Sequence, residues 1–421
     1  MMKKINVRLC LILLFGLLAG CSGSKAENPN KLTAWVWNVN VPVLEAAEKR
    51  YQKDHPEFEL DIVEMGTADV YQKLTTGLLA GGQGLPDIVL VEDDRIQGYI
   101  HSFPDAFLNL TEQGFDKEKA AQFPEFKRDL VSKEGDLYAF PFDAGPTGMF
   151  YRTDIFENAG IEAEDIKTWT DYAEAGKTIK EKTGKDMIGL DLNGDDGLYR
   201  MMLNQQGTFY FDSNEEPNLT SPESYRAMEV HRQLKEADLI KNTVGWDAWI
   251  GSMVQGDVAT APSGAWLAGS IEQQGKESAG KWGVIPLPAF KEGGNRASNL
   301  GGSNYTIMKS SKNPEAAYDF LEYFSTDEQT QVEAMKGGLF PSLTSTYDEP
   351  VFTEGVSFFG GQAIWKTLAD QMDDIPSVNY TGSFPYAKDE AVKAQSEAMS
   401  GKLSIQEAFK AAQKRLKNRM L

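Results

Sequence analysis

From residue 31 onward, short apolar runs alternate with stretches whose apolar residues recur every three or four positions. Leu32-Thr33-Ala34-Trp35-Val36-Trp37 has the apolar and aromatic content of a buried strand. After Pro42, the residues Val43, Leu44, Ala47 and Tyr51 fall on one helical face, and the pattern stops before Asp54-His55-Pro56, a turn signal. Residues 58–63 alternate as a second strand. Val70, Leu74 and Leu78 mark a second helix, stopped by Gly81-Gly82, and residues 87–91 form a continuously apolar third strand. Strands and helices alternating at this spacing predict an α/β fold whose parallel sheet is covered on both faces. Ligand crevices in such sheets lie beyond the carboxyl ends of the strands, which here means segments 38–40, 64–67 and 92–95.

Three other stretches break this rhythm. Residues 139–152 are apolar and extended but contain Pro141, Gly145, Pro146 and Gly148. Proline confines a strand to an edge or a crossing position, so this segment is expected to pass between domains. Residues 283–288, with Pro286 and Pro288, and residues 337–341, ending in Pro341, have the same character. Helices are expected over 169–181, 222–234 and 314–335. A last one is expected over 403–416, with Ala408, Phe409, Ala412 and Leu416 on one face.

The N-terminus reads as an address. Lys3, Lys4 and Arg8 precede an apolar stretch over 9–18, followed by the small residues Ala19 and Gly20. This is the build of a secretory signal, and it is too short for a membrane span of ~20 apolar residues. Leu18-Ala19-Gly20-Cys21 resembles the bacterial lipobox, which implies that residues 1–20 are removed and that Cys21 is lipidated at the extracellular face of the cell membrane. Residues 21–30 are small and polar, the composition of a flexible tether. Both cysteines, Cys10 and Cys21, lie in this region, so the body has no disulfide and no cysteine nucleophile.

Composition narrows the function. The 62 Asp and Glu outnumber the 42 Lys and Arg in a chain of 421 residues, a net charge of −20 that argues against nucleic acid as a partner. Length and a 41% hydrophobic fraction suit two or three folded domains. Metal and nucleotide motifs fail on spacing. The run from Asp191 to Gly197 has Asp196 where a calcium loop needs glycine and Met202 where it needs glutamate. His55, His101 and His231 are far apart in sequence, and Gly275-Lys276-Glu277 lacks the Ser or Thr of a phosphate-binding loop. No cofactor or metal is expected.

Ordered motifs along almost the whole body resemble one family. They are Leu32-Thr33-Ala34-Trp35, Gly84-Leu85-Pro86-Asp87, Asp94-Arg95-Ile96-Gln97-Gly98-Tyr99, Leu137-Tyr138-Ala139-Phe140-Pro141-Phe142, Tyr151-Arg152-Thr153-Asp154 and Lys167-Thr168-Trp169. Gly256-Asp257-Val258-Ala259, Pro262-Ser263-Gly264-Ala265-Trp266, Pro286-Leu287-Pro288 and Asn313-Pro314-Glu315-Ala316-Ala317-Tyr318 come after these. The chain is thereby similar to the extracellular solute-binding proteins of bacterial ABC importers, the carbohydrate-binding family that includes maltose-binding proteins. The resemblance implies a two-lobed, type II periplasmic-binding-protein-like fold. Each lobe would hold a mixed, mostly parallel sheet flanked by helices, and three hinge crossings would join them. Lobe one would comprise 30–140 plus 284–336, and lobe two 141–283 plus 337–421. The implied function is to bind a sugar or oligosaccharide between the lobes, as a monomer and without chemistry, and to deliver it to the permease. An extracellular glycoside hydrolase and a receptor for a polyamine are the alternatives.

A sugar offers C–H faces that pack on aromatic rings and hydroxyls that suit carboxylates, amides and guanidinium groups. Candidates of that kind at loops or element ends are Trp37, Asn38, Glu92, Asp93, Asp94, Arg95, Trp246, Asp247, Trp249, Trp266, Trp365 and Tyr386. Trp35, Trp169 and Trp282 fit the core instead. By resemblance, Asp94-Arg95 matches a hydroxyl-binding pair, Trp266 a stacking tryptophan, Tyr386 a neighbour of another, and Tyr199 an aromatic contact. The loop Gly301-Gly302-Ser303-Asn304 matches one that faces the cleft. Gly145 stands where maltose-binding proteins carry a ligand-binding glutamate, leaving Asp143 as the nearest substitute.

Overall fold

The computed structural model describes residues 30–420; the signal segment, Cys21 and the tether as far as Pro29 lie outside the described residues. Strands β1 (Lys31–Val36), β2 (Glu59–Glu64) and β3 (Ile88–Glu92) pair in parallel with β1 in the middle. Helices Asn40–Tyr51 and Thr67–Leu79 connect them and bury the residues that the periodicity assigns, Val43, Leu44, Ala47 and Tyr51 on the first and Val70, Leu74 and Leu78 on the second. A small hairpin of β4 (Ser132–Lys133) and β5 (Asp136–Leu137) precedes the 13-residue β6 (Phe140–Arg152). The remaining strands are β7 (Asp186–Leu190), β8 (Ile240–Asn242), β9 (Val258–Gly264), β10 (Trp282–Ile285), β11 (Asn299–Ile307) and β12 (Phe340–Pro341).

The strand order is β2-β1-β3-β11-β6-β9-β7-β8, with β10 and β12 also bonded to β6. Parallel pairing is confined to the two ends, β2-β1-β3 and β9-β7-β8, where helices wind between the strands. The middle is antiparallel, because β6 and β11 run against their neighbours. The result is two α/β lobes sharing one long strand. The first half of β6 pairs with β11, and its second half, from Thr147 on, with β9 and β10. All three proline-marked segments thus meet on β6.

One boundary differs from expectation. The sequence places residues from 284 onward in lobe one, yet this segment first stays with the second-lobe elements. Ala289 exchanges backbone hydrogen bonds with Lys167 and Trp169, at 2.8 and 2.9 Å. The Pro288 carbonyl accepts from Gln205 Nε2 at 2.9 Å, and the Ile166 carbonyl accepts from Arg296. The chain changes side only at β11, where a register shift between Asn299 and Gly302 leaves Leu300 and Gly301 outside the ladder. The helical region 314–335 is also two helices, Pro314–Thr326 and Glu328–Lys336. Asp327 ends the first and caps the second, its carboxylate accepting from Thr330 N at 2.8 Å.

Asp143 sits where these strands converge, opposite Ser303 of β11 and Pro341 of β12. Its carboxylate accepts the Ser303 hydroxyl. Burial lifts its pKa to about 7, against the pull of the Lys127 ammonium. The folded protein therefore holds a proton here between about pH 4 and 7 that the unfolded chain releases, and stability falls as pH rises through that window. Replacing Asp143 by Asn keeps the acceptor and removes the titration. The stability difference, D143N minus wild type by urea unfolding, should move in favour of the variant by roughly 1–4 kcal/mol between pH 4.5 and pH 8. A pH-independent difference would refute this.

Candidate functional site

A cavity of about 540 Å³ lies between the lobes. As the topology rule requires, its walls are the carboxyl ends of strands and the residues just beyond them: Glu92 to Asp94 after β3, Ile188 to Asp191 on β7, Thr243 to Trp249 after β8, and Ala261 to Trp266 on and after β9. Leu300, Gly301 and Gly302 close it from β11, and Arg200 and Tyr380 from the second lobe.

The acidic wall is organised by a buried pair. Lys127 is 0% exposed, and its ammonium donates to Asp93 and, at 3.3 Å, to the Ser303 carbonyl. Asp93 also accepts from Asn304 Nδ2 at 2.9 Å and from Asn299 Nδ2 at 3.4 Å. Ser303 and Asn304 therefore stand behind the cavity wall and hold Asp143 and Asp93 rather than line the space themselves. Asp94, the next residue, places its Oδ2 3.7 Å from Arg200 Nη1 across the lobes and its buried Oδ1 3.6 Å from Arg95 Nε. Arg95 turns away and places its guanidinium 5.4 Å from the centre of the Tyr71 ring. Burial, with the Asp94 charge, raises the pKa of Glu92, whose carboxylate accepts from Tyr71 at 2.9 Å.

Arg200 is the cation of the opposite wall. It bonds Asp196 one helical turn away at 3.0 Å. Burial pushes the Asp196 carboxyl up, but Arg200, Lys388 and the Tyr210 hydroxyl hold it below the usual carboxylate range. Beside it, burial and the Asp196 charge raise Asp195.

The third wall is aromatic. The rings of Trp246, Trp249 and Trp266 are mutual neighbours, with centroids 5.6 to 6.1 Å apart. Trp266 Nε1 donates across the lobes to the Leu300 carbonyl at 2.8 Å. That carbonyl is wedged in: a Cβ at Gly145 would stand 2.2 Å from it and one at Gly264 2.3 Å. A side chain at 145 would collide with that backbone, so the position cannot supply a carboxylate in this arrangement.

Several sequence candidates lie elsewhere. Trp37 is 8% exposed and packs near Tyr71, whereas Trp35, expected in the core, is half-buried. Asn38 is exposed in a left-handed turn with φ 50°. Tyr199 is 1% exposed, bonded to Ser224 and edge-on to Tyr210; one residue along the helix is a rotation of about 100°, so Arg200 faces the cavity and Tyr199 the core. Trp365 packs against Phe340, and Tyr386 lies outside the cavity under the Arg419 guanidinium. Trp169 and Trp282 are in the core as expected. Sequence reasoning misses Arg200 and Tyr380, whereas Trp246 and Trp249, three residues apart on the helix after β8, stand together in the aromatic wall.

Replacing Lys127 by Met would leave Asp93 buried without its counter-charge. K127M should lose about 3–5 kcal/mol in urea unfolding, and adding D93N should return part of that loss. An unchanged midpoint for K127M would contradict the pairing.

Comparisons agree with this architecture. A family model described as bacterial extracellular solute-binding protein matches residues 46–360. The chain is 38% identical to a lactose-binding protein of Rhizobium radiobacter over 92% of each chain. It is 30% identical to an arabinooligosaccharide-binding protein of Bacillus subtilis over 92% of this chain and 93% of the relative. Among solved structures it resembles the ABC-transporter-associated binding protein of B. animalis subsp. lactis in complex with β-1,6-galactobiose. That match has TM-score 0.72 and 27% identity and covers 92% of this chain and 96% of the other. The chain belongs to the bacterial extracellular solute-binding protein family.

Proposed function

We propose that this protein is a lipid-anchored extracellular receptor that takes up a sugar or oligosaccharide in the cavity between its lobes and presents it, unchanged, to the transmembrane subunits of an ABC importer. The observation that carries the reading is a wall of three indoles facing a carboxylate, Asp94, and a guanidinium, Arg200, that meet across the lobes. Indole faces suit sugar C–H surfaces, and Asp94 and Arg200, both in the cavity wall, supply an acceptor and donors suited to hydroxyls. Relatives that bind lactose, arabino-oligosaccharides and β-1,6-galactobiose support the same ligand class. Arg200 in the wall disfavours a polyamine. The ligand contacts in this reading are Asp94, Arg200, Trp246, Trp249, Trp266 and Tyr380. Lobe one is residues 30–140 plus about 299–336, and lobe two is the remainder of the body. Cys21 carries the anchor, and the receptor acts as a monomer. A ligand touching both lobes favours closure because it binds the closed arrangement better than the open one.

Thermal-shift measurements with lactose, β-1,6-galactobiose, arabino-oligosaccharides and putrescine test this. At a hundredfold excess over its Kd a sugar should add about 2.7 kcal/mol to stability, with no product on chromatography, and the shift should vanish in W266A. Released product, or a shift with putrescine alone, would overturn the reading.

A further inference from the structure

The helix Asp93–Ser102 carries polar or small residues at 94, 97, 98 and 101, the spacing of a single helical face. In the structure it lies against the other lobe along its length. Asp94 meets Arg200, and His101 Nδ1 lies 3.2 Å from Glu215. Between them, the Gln97 carboxamide makes three contacts with one second-lobe segment. Its oxygen accepts from Tyr380 N at 2.7 Å and from Thr381 N at 3.3 Å, and its Nε2 donates to Asn379 at 3.1 Å.

Two features mark this contact as built. The backbones touch at Gly98 and Gly382: a Cβ on Gly98 would stand 2.8 Å from Gly382 Cα and 3.1 Å from the Thr381 carbonyl. Thr381 has φ 58°, a left-handed conformation that a β-branched residue adopts only under constraint. The constraint is Gln97 on one side and the aromatic packing of Tyr380 against Phe209 and Phe384 on the other. Tyr380 in turn lines the ligand cavity.

We infer that this helix face is an inter-lobe clasp, and that Gln97 is a positioning residue that holds Tyr380 at the ligand and governs how fast the closed receptor lets a sugar go. The inference rests on the receptor reading above. The clasp acts on ligand release, since the contacts it makes exist only with the lobes together, whereas association proceeds from the open form.

Two variants of the full chain separate the clasp from general stability. Q97M keeps the side chain's bulk and removes all three hydrogen bonds. G98A improves helix propensity while its methyl pushes the 381–382 backbone away, so faster release in G98A cannot come from a weaker helix. Release is followed by tryptophan fluorescence with lactose or whichever sugar of the panel shifts the melting temperature. Both variants should release it about tenfold faster with little change in association rate, the size expected for losing a pair of buried hydrogen bonds. Their ligand-free radius of gyration by small-angle scattering should exceed that of the wild type. Release rates within twofold of wild type together with an unchanged radius would overturn the clasp. If no sugar binds the wild type, the receptor reading falls, and the radii of the ligand-free variants still decide the clasp.

Discussion

An ammonium and a carboxylate withdrawn from water each carry a desolvation cost of several kcal/mol, and the pair survives only where geometry and further hydrogen bonds return it. Lys127 and Asp93 meet that condition through Asn304, Asn299 and the Ser303 carbonyl, and much of the site depends on it. The pair ties the short helix Glu125–Leu130 to the end of β3 and to β11. It aims Asp93 inward, which turns Asp94 outward into the cavity. It also explains a glycine: at Gly302, φ is 105°, and a Cβ would stand 2.5 Å from Asp93 Oδ2.

The same region is where the lobes are joined. β6 pairs with strands of both lobes, and β11 leaves its ladder for two residues as it crosses. Those two residues supply the Leu300 carbonyl to Trp266 and the backbone floor of the cavity. Hinge and ligand wall are therefore parts of one hydrogen-bonded structure, so a ligand that bears on the aromatic wall also bears on the crossing. A two-lobed receptor needs that economy, because only contacts that differ between open and closed forms can shift their balance.

The acidic surplus divides along this architecture. Most carboxylates remain on the surface, consistent with solubility. Three at or beside the cavity are matched differently: Asp93 by Lys127, Asp196 by Arg200, Glu92 by the Tyr71 hydroxyl. Asp94 lies between Arg200 and Arg95, at 3.7 and 3.6 Å, and among the described residues the Thr243 and Ser263 hydroxyls of the lining have no hydrogen-bond partner.

Local pattern alone was enough for the wound ends of the fold. The helix faces at Val43 to Tyr51 and Val70 to Leu78, the apolar run of β3 and the proline-marked crossings all arise from spacing and chain stiffness, which are properties of neighbouring residues. The cavity lining was legible where a motif sits at a strand end, as with Asp94 and Trp266. It was not legible where a single helical or strand position decides the matter. Tyr199 and Arg200 differ by one residue and face different ways, and Trp35 and Trp37 exchange the expected exposure, because burial depends on what the rest of the chain packs against each face. Gln97 and Tyr380 meet although 282 or more residues separate the partners in sequence. The sequence by itself determined the class of fold and the ends of strands where a ligand could lie. Only the tertiary structure decided which side chains reach it, since cross-lobe contacts depend on packing between segments that no local periodicity connects.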